Sequence, residues 1–228
     1  MKVLIAPVIC FFVLGVAMDV ESAIIVGYRS MASDEGLEAT EWLNGVTPER
    51  LERGGGIGRA SGNTFNSRGW DQDTEADAFS AGDYLEWGWQ SEQALLLDEL
   101  ELKYDRSSSG PRRLSLLARF DASPDWHRLF EDMEVADDSS DQHQISLTDW
   151  SGITSATFRL VGWDAGRTSG TFDIENFGPD EWFAVSVSGT PDVAPVPEPS
   201  SWLGWAAAMT VGISLTLRKQ CLSRSQPR

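Results

Sequence analysis

Through the middle of the chain the apolar positions recur at every second residue. In Asp83 to Gln90, Leu85, Trp87 and Trp89 face one way while Tyr84 and Glu86 face the other. From Leu96 to Tyr104, Leu96, Leu100, Leu102 and Tyr104 alternate with Leu97, Glu99, Glu101 and Lys103. Leu114, Leu116, Ala118 and Phe120 alternate with Arg113, Ser115 and Arg119; Phe158 and Leu160 oppose Arg159 and Val161; Phe183, Val185 and Val187 oppose Trp182 and Ser186. A period of two places each set on one side of a pleated strand, so these segments are expected as strands with one buried and one wet face. Turn-forming clusters separate them: Ser107-Ser108-Ser109-Gly110-Pro111, Asp137-Asp138-Ser139-Ser140-Asp141 and Asp164-Ala165-Gly166. Only Leu37 to Leu51 suits a helix, and Gly45 and Pro48 interrupt it. No internal repeat is visible. Many short strands between turns predict an all-β fold, an antiparallel β-sandwich of jelly-roll type over residues 24–189.

The two ends are patterned differently. Met1-Lys2 supplies a basic start, Val3 to Ala17 is apolar and small residues follow, the layout of a signal peptide over residues 1–23. A cut after Ala23 leaves Ile24 first; a cut after Ala17 is the alternative. Cys10 follows Pro7-Val8-Ile9 and sits in no convincing lipoprotein box. At the other end, residues 190–199 hold four prolines and read as a stiff tether. Trp202 to Leu217 then runs for 16 residues without a charge. As a helix it is about 24 Å long, slightly short of a bilayer's roughly 30 Å hydrocarbon core. A transmembrane helix is expected over 200–217. Arg218, Lys219, Arg224 and Arg228 follow with no acid among them, which holds residues 218–228 in the cytoplasm and leaves the central domain on the periplasmic side.

Val196-Pro197-Glu198-Pro199, the apolar run and Arg218-Lys219 together resemble the PEP-CTERM sorting signal. Exosortases handle that signal at the inner membrane of Gram-negative bacteria that make extracellular polysaccharide. The resemblance implies an exosortase-type processing partner, anchorage in the inner membrane before processing, and delivery to the cell surface or extracellular matrix. A structural or adhesive role within exopolysaccharide follows as the expectation, with a carbohydrate-binding module as the alternative.

Charge and cysteine usage narrow the classes further. Residues 24–195 carry 32 acids against 13 bases, a net charge of −19. Such a surface repels phosphate, so nucleic acid and anionic lipid headgroups are set aside as partners. Both cysteines, Cys10 and Cys221, lie outside this stretch, so its core must hold without disulfides.

Catalytic signatures are scarce. There is no Gly-x-Ser-x-Gly elbow. His127 and His143 are the only histidines, which excludes a zinc site built on several of them. Gly54-Gly55-Gly56-Ile57-Gly58 lacks the Lys and the following helix of a phosphate loop and reads as a turn. The remaining enzymatic option is a carboxylate pair for glycoside hydrolysis, but in so acidic a chain chance pairs are expected. No enzyme is expected. Sugar stacking needs a rigid aromatic face with polar neighbours. Trp87 and Trp89 share the apolar side of their strand and read as core. Trp163 and Trp182 alternate away from the core positions and are the candidate platforms, with edge packing or an interface as the plainer reading. Arg119 and Arg159 lie on wet faces, where Glu99 and Glu101 are candidate cross-strand partners.

A second resemblance spans nearly all of 24–177. Its pieces are Ile24-Ile25-Val26-Gly27-Tyr28, Arg53-Gly54-Gly55-Gly56-Ile57, Asn63 to Trp70, Gly82 to Trp87, Arg106 to Pro111, Phe158 to Gly162, and Gly170 to Asn176. Together they are similar to a domain common in PEP-CTERM proteins. Leu117 and Glu175 depart from it, standing where that domain usually has Arg and Asp. The resemblance implies a jelly roll similar to carbohydrate-binding modules, without an established activity, and it points to Glu175 and Asn176 as one source of metal ligands. Asp71-Gln72-Asp73-Thr74-Glu75-Ala76-Asp77 supplies further acids, but Ala76 and Gly82 occupy the places where an EF-hand loop needs Gly and Glu. No cofactor is expected beyond one candidate, a structural Ca²⁺ held by Asp71, Asp73, Glu175 and Asn176. The alternative is a solvated acidic loop.

Overall fold

The computed structural model describes residues 22–136, 139–176 and 183–192. In chain order they form β1 (Ala23–Tyr28), β2 (Glu41–Trp42), β3 (Val46–Pro48), β4 (Glu52–Arg53), β5 (Gly58–Arg59), β6 (Phe65–Arg68), α1 (Glu75–Ala81), β7 (Tyr84–Arg106), β8 (Arg113–Phe120), β9 (His127–Glu134), β10 (Ser139–Ser146), β11 (Ser151–Trp163), β12 (Thr171–Ile174) and β13 (Val185–Pro191). Every pairing between these strands is antiparallel. The expected signal peptide up to residue 21, the Val196-Pro197-Glu198-Pro199 motif, Trp182, the 200–217 segment and Arg218-Lys219 lie outside the described residues. Among the described residues no helix is long and apolar enough to cross a membrane.

Strand β7 is the spine of the fold. Its first half pairs with β11 on one flank and with β3 and β4 on the other. Its second half pairs with β10 on one flank and with β13 and β12 on the other. Beyond β11 come β8 and β9; beyond β13 come β1 and β2. One long strand therefore supplies a member to each of two layers. Side chains bridge strands that share no ladder. The Tyr28 hydroxyl of β1 donates to the Glu49 carbonyl at 2.6 Å and lies 3.2 Å from that of Gly88. Phe130 of β9 stands 6.3 Å from His143 of β10. The architecture is an all-β sandwich.

The strands expected over 83–90 and 96–104 are one strand. Ser91-Glu92-Gln93 reads as an interruption, yet Ser91 pairs with Val46 and Glu92 donates its amide to Gly45. Along β13, Ser188 pairs with Glu99 and Gly189 with Leu97, so Asp98 is an extra residue, a β-bulge. One added residue exchanges the two faces. Before the bulge Leu85, Trp87, Trp89, Leu95 and Leu97 are buried; after it Leu100, Leu102 and Tyr104 are. Leu96 therefore faces out, 39% exposed, and Leu97 takes the inner place that periodicity assigns to Leu96.

Residues 37–51 form no helix. Leu37 and Leu51 bridge to each other, β2 and β3 lie between them, and Gly45 turns with a φ of 83°. The helix is α1 instead, too short to show a 3.6 period but framed by its caps. The Thr74 hydroxyl accepts from the Asp77 amide, and Gly82 closes the C-terminus in the left-handed conformation at φ 92°. The polar stretch around Gln142-His143-Gln144, beside an expected turn, belongs to β10: His143 and Ile145 turn inward between exposed Gln142 and Gln144.

Trp87 and Trp89 are fully buried, as their strand face predicts, and both lie against Phe158 at 5.6 and 5.5 Å. Trp70, Tyr28, Tyr104, Phe65 and Phe172 are further large aromatic side chains fully buried in the core, each contributing roughly 1.5–3 kcal/mol through burial. Entry and exit of the sandwich are neighbours: Ala23 of β1 pairs with Gly189 of β13, and β13 continues to Pro191, two residues into the stretch expected as tether.

Candidate functional site

The outer face of the β8–β11–β7 layer carries the most developed arrangement of polar and aromatic groups. Alternation along β11 turns Phe158 and Leu160 to the core and Thr157, Arg159, Val161 and Trp163 away from it. The matching outward positions are Tyr84, Glu86, Gly88 and Gln90 on β7, and Ser115, Leu117 and Arg119 on β8.

Helix α1 covers one end of this face. Ala78 packs there with Leu117, Val161 and Trp163 in a small second core bordered by Phe79, Tyr84 and Trp126. This overturns Trp163 as a sugar platform. It points away from the main core, as its alternation predicts, but the helix lies over it and leaves it 7% exposed. Trp126, which precedes β9 and has no periodicity to betray it, is instead the half-buried indole at the rim.

Arg159 is the hub of the uncovered part. Its Cζ stands 4.2 Å from the Tyr84 ring centre, 4.6 Å from that of Trp126 and 4.9 Å from that of Phe79. Its Nε donates to Glu86 Oε2 at 2.5 Å. Arg119 Cζ also lies over the Trp126 ring, 5.0 Å from its centre. The expected pairing of these arginines with Glu99 and Glu101 is not what forms. Register sets Arg159 opposite Glu86, while Glu99 and Glu101 lie beyond the bulge, paired with Ser146 and Gln144 of β10. Guanidinium groups sandwiched with rings keep both charge and planarity in place, which a lysine would not do.

Beside this hub the floor is bare. A Cβ on Gly88 would lie 2.2 Å from the Ala156 carbonyl oxygen and 2.8 Å from Glu49 Oε2, so only glycine leaves room there for the Glu49 carboxylate. Burial pushes the Glu49 carboxyl up, the nearby Glu86 charge adds to this, and a hydrogen bond from Gln90 and the Arg119 charge oppose it. The face thus offers an aromatic rim, two carboxylates, two guanidinium groups, an amide and the Thr157 hydroxyl around a flat strip. A pyranose presents apolar C–H faces and equatorial hydroxyls, and such a strip can meet both.

The other candidates are dispersed. Among the described residues no group of three or more His, Cys, Asp and Glu side chains stands where it could hold a metal ion. Asp71 and Asp73 are exposed; Asp71 Oδ1 accepts from the Gln72 side-chain Nε2, and the Asp71 backbone N–H donates to buried Asp83. The Asn176 side-chain oxygen accepts from the Ser30 amide at 3.0 Å, which ties the end of β12 to the segment after β1. Glu175 is half-buried, and its carboxyl is raised by burial and by Asp105. Asp105 pairs directly with Asp173 across β7 and β12. The Thr64 hydroxyl donates to Asp173 Oδ2 at 2.8 Å while Oδ1 is buried without a partner. Burial pushes Asp173 up to about 6; Thr64 opposes the rise, and Asp105 and Glu175 add to it. The most exposed aromatic among the described residues is Trp42 on β2, 51% exposed, a position that no alternating pattern marks.

No family model and no curated protein matches the chain. Solved structures with a distant likeness include a variant of a family 29 carbohydrate-binding module complexed with mannohexaose. It is 14% identical with a TM-score of 0.39, over 74% of this chain and 93% of that one. A second variant of a family 29 module matches at 14% identity and a TM-score of 0.39, over 77% of this chain and 100% of that one. An F5/8 type C domain from Bacteroides fragilis matches at 7% identity and a TM-score of 0.32, over 65% and 99%. The fold assignment rests on the strand register above, not on these likenesses.

Proposed function

We propose that the protein is an exported, non-catalytic surface or extracellular-matrix component that binds polysaccharide through the outer face of its β8–β11–β7 layer. In this reading the sandwich is of jelly-roll type, and the PEP-CTERM-like tail anchors it in the inner membrane until an exosortase-type enzyme releases it. The observation that carries the binding role is the strip beside Arg159. There Trp126 and Tyr84 flank Glu86, Glu49, Gln90 and Arg119 over the bare backbone of Gly88. Aromatic and hydrogen-bonding groups held this way by their neighbours need little ordering on binding, which favours affinity. The adjacent β1 and β13 fit the delivery route, because both segments expected to be trimmed leave from one pair of strands.

Affinity electrophoresis of the full-length protein through gels containing the exopolysaccharide of its own cells tests the reading. Retardation is expected, with a loss of at least tenfold in affinity for Trp126→Ala and Glu86→Gln and no new reducing ends on incubation. Equal retardation of both variants and the wild type would remove the face from the binding role. Reducing ends lost on substituting Glu49 or Glu86 would make the protein a glycoside hydrolase instead. Intact masses from cells with and without the exosortase test the delivery half separately: a tail retained in both strains would refute it.

A further inference from the structure

A second surface, formed by β5, β6 and the turn that follows β11, gathers arginines in a domain that is otherwise strongly acidic. The 164–170 turn carries Arg167, Thr168 and Ser169. Thr168 and Ser169 join Gly58, Arg68 and Gly69 in lining an open recess of about 370 Å³. None of these lining residues is acidic. Arg50, Arg59, Arg113, Arg128 and Arg159 each hold a carboxylate. Of the exposed arginines without a carboxylate partner among the described residues, Arg29 lies elsewhere, after β1, while Arg68, Arg112 and Arg167 remain, despite an excess of 19 acids over bases in residues 24–195. Arg68, Arg112 and Arg167 belong to this neighbourhood. Arg68 pairs with Gly58 across β6 and β5 and with Thr171 across β6 and β12, Arg167 starts the lining turn, and the Arg112 guanidinium lies against Gly166.

The turn is held rigidly. The Arg167 amide donates to Ser109, the Gly170 amide to Arg167, and the Gly69 amide to Thr168, at 3.2, 2.9 and 3.0 Å. Neither the Thr168 nor the Ser169 hydroxyl has a hydrogen-bond partner among the described residues. Gly69, at φ 98°, and Gly58 leave the floor without side chains. The recess therefore presents free guanidinium and hydroxyl groups around a smooth floor.

We infer that this recess binds an acidic sugar residue of a polysaccharide chain, pairing its carboxylate or sulfate with Arg68 and its hydroxyls with Thr168 and Ser169. A planar guanidinium meets a carboxylate or sulfate in a two-point hydrogen bond, the role left open to Arg68. At about 370 Å³ the open recess has room for a sugar ring as well as for an inorganic anion. The inference rests on the polysaccharide-binding reading but uses a different surface, so the two can fail separately.

Calorimetry on the full-length protein with an oligogalacturonate, its methyl ester and inorganic sulfate tests it. The acid form is expected to bind at least tenfold more tightly than the ester, with the advantage shrinking as salt rises. Arg68→Gln is expected to erase that advantage and Arg167→Gln, beside the recess, to reduce it, while Trp126→Ala lowers both affinities and leaves their ratio unchanged. Equal affinity for acid and ester, or an intact ratio in both arginine variants, overturns the inference, as does binding of neither oligosaccharide. Sulfate binding without oligogalacturonate binding also overturns it and leaves a small-anion site only.

Discussion

Replacing Asp173 with Asn should stabilise the domain at neutral pH and leave it unchanged in acid. Asp173 faces Asp105 across β7 and β12, has one buried oxygen without a partner, and titrates at about 6 instead of 3.8. Its folded-state value is raised, so the folded form holds the proton more tightly than the unfolded chain does. Stability from this group is therefore complete below about pH 3.8 and is lost as pH rises through about 6. In a fully shielded site that displacement corresponds to roughly 3 kcal/mol at neutral pH. Asp173 is half-buried, and solvent screening reduces the figure to about 1–2 kcal/mol. Asn removes the charge and keeps an oxygen for the Thr64 hydroxyl. At ~2–4 °C per kcal/mol for a domain of this size, Asp173→Asn should melt about 2–8 °C higher than the wild type at pH 7.5. Near pH 3.5 the two melting curves should coincide. The measurement is the difference between the proteins at each pH, because so many other carboxylates tilt the wild-type curve. A variant no more stable than the wild type at pH 7.5 would refute the reasoning. So would an equal gain at both pH values, which would point to packing in place of charge.

Arg159→Met keeps most of the side-chain length but removes the charge that Glu86, Tyr84, Trp126 and Phe79 share; a loss of about 2 kcal/mol is expected in urea unfolding, with Arg159→Lys recovering part of it. Gly170→Ala would place a Cβ 1.8 Å from the Ser109 carbonyl oxygen, a backbone atom with nowhere to go. It should cost more than about 3 kcal/mol, read as a collapsed yield of folded protein or a large drop in melting temperature. Dialysis against EDTA should leave the melting temperature within about 1 °C, since no cluster of three or more metal-binding side chains exists among the described residues. A fall of several degrees, restored by Ca²⁺, would reveal one. Trp163→Ala should destabilise by about 3–5 kcal/mol, as removal of a buried aromatic does, whereas Trp126→Ala at the rim should cost much less.

Sequence periodicity carries the strands whose two faces differ strongly: 84–90, 113–120, 158–161 and 185–187 all emerge where alternation sets them. It fails where the rule is interrupted by geometry. The bulge at Asp98 exchanges faces without any residue type that announces it, so Leu96 and Leu97 trade places. Short edge pieces such as β2 to β5 have too few residues to show a period, and β10 is polar because only one of its faces meets the core. The site was legible in part. Arg119 and Arg159 could be assigned to a wet face, but their partners depend on register, and a residue outside any strand, Trp126, completes the arrangement. Trp163 shows the reverse error: alternation reports which side of a sheet a residue leaves from, not whether a seven-residue helix lies on that side. Thr74 with Asp77, followed by Gly82, was the available signal for that helix.

The position of β13 has a mechanical consequence. It lies between β1 and β7, hydrogen-bonded to both along Val185 to Gly189, and its last residues, Thr190 and Pro191, remain paired with β7. A pull applied at Pro191 along the strand axis loads these two ladders side by side, in shear, so that many hydrogen bonds share the force and must yield together. A pull across the sheet would open them in succession at far lower force. A domain held through this strand resists tension along it, and the recess lined by Arg68 lies on neither of the two loaded ladders.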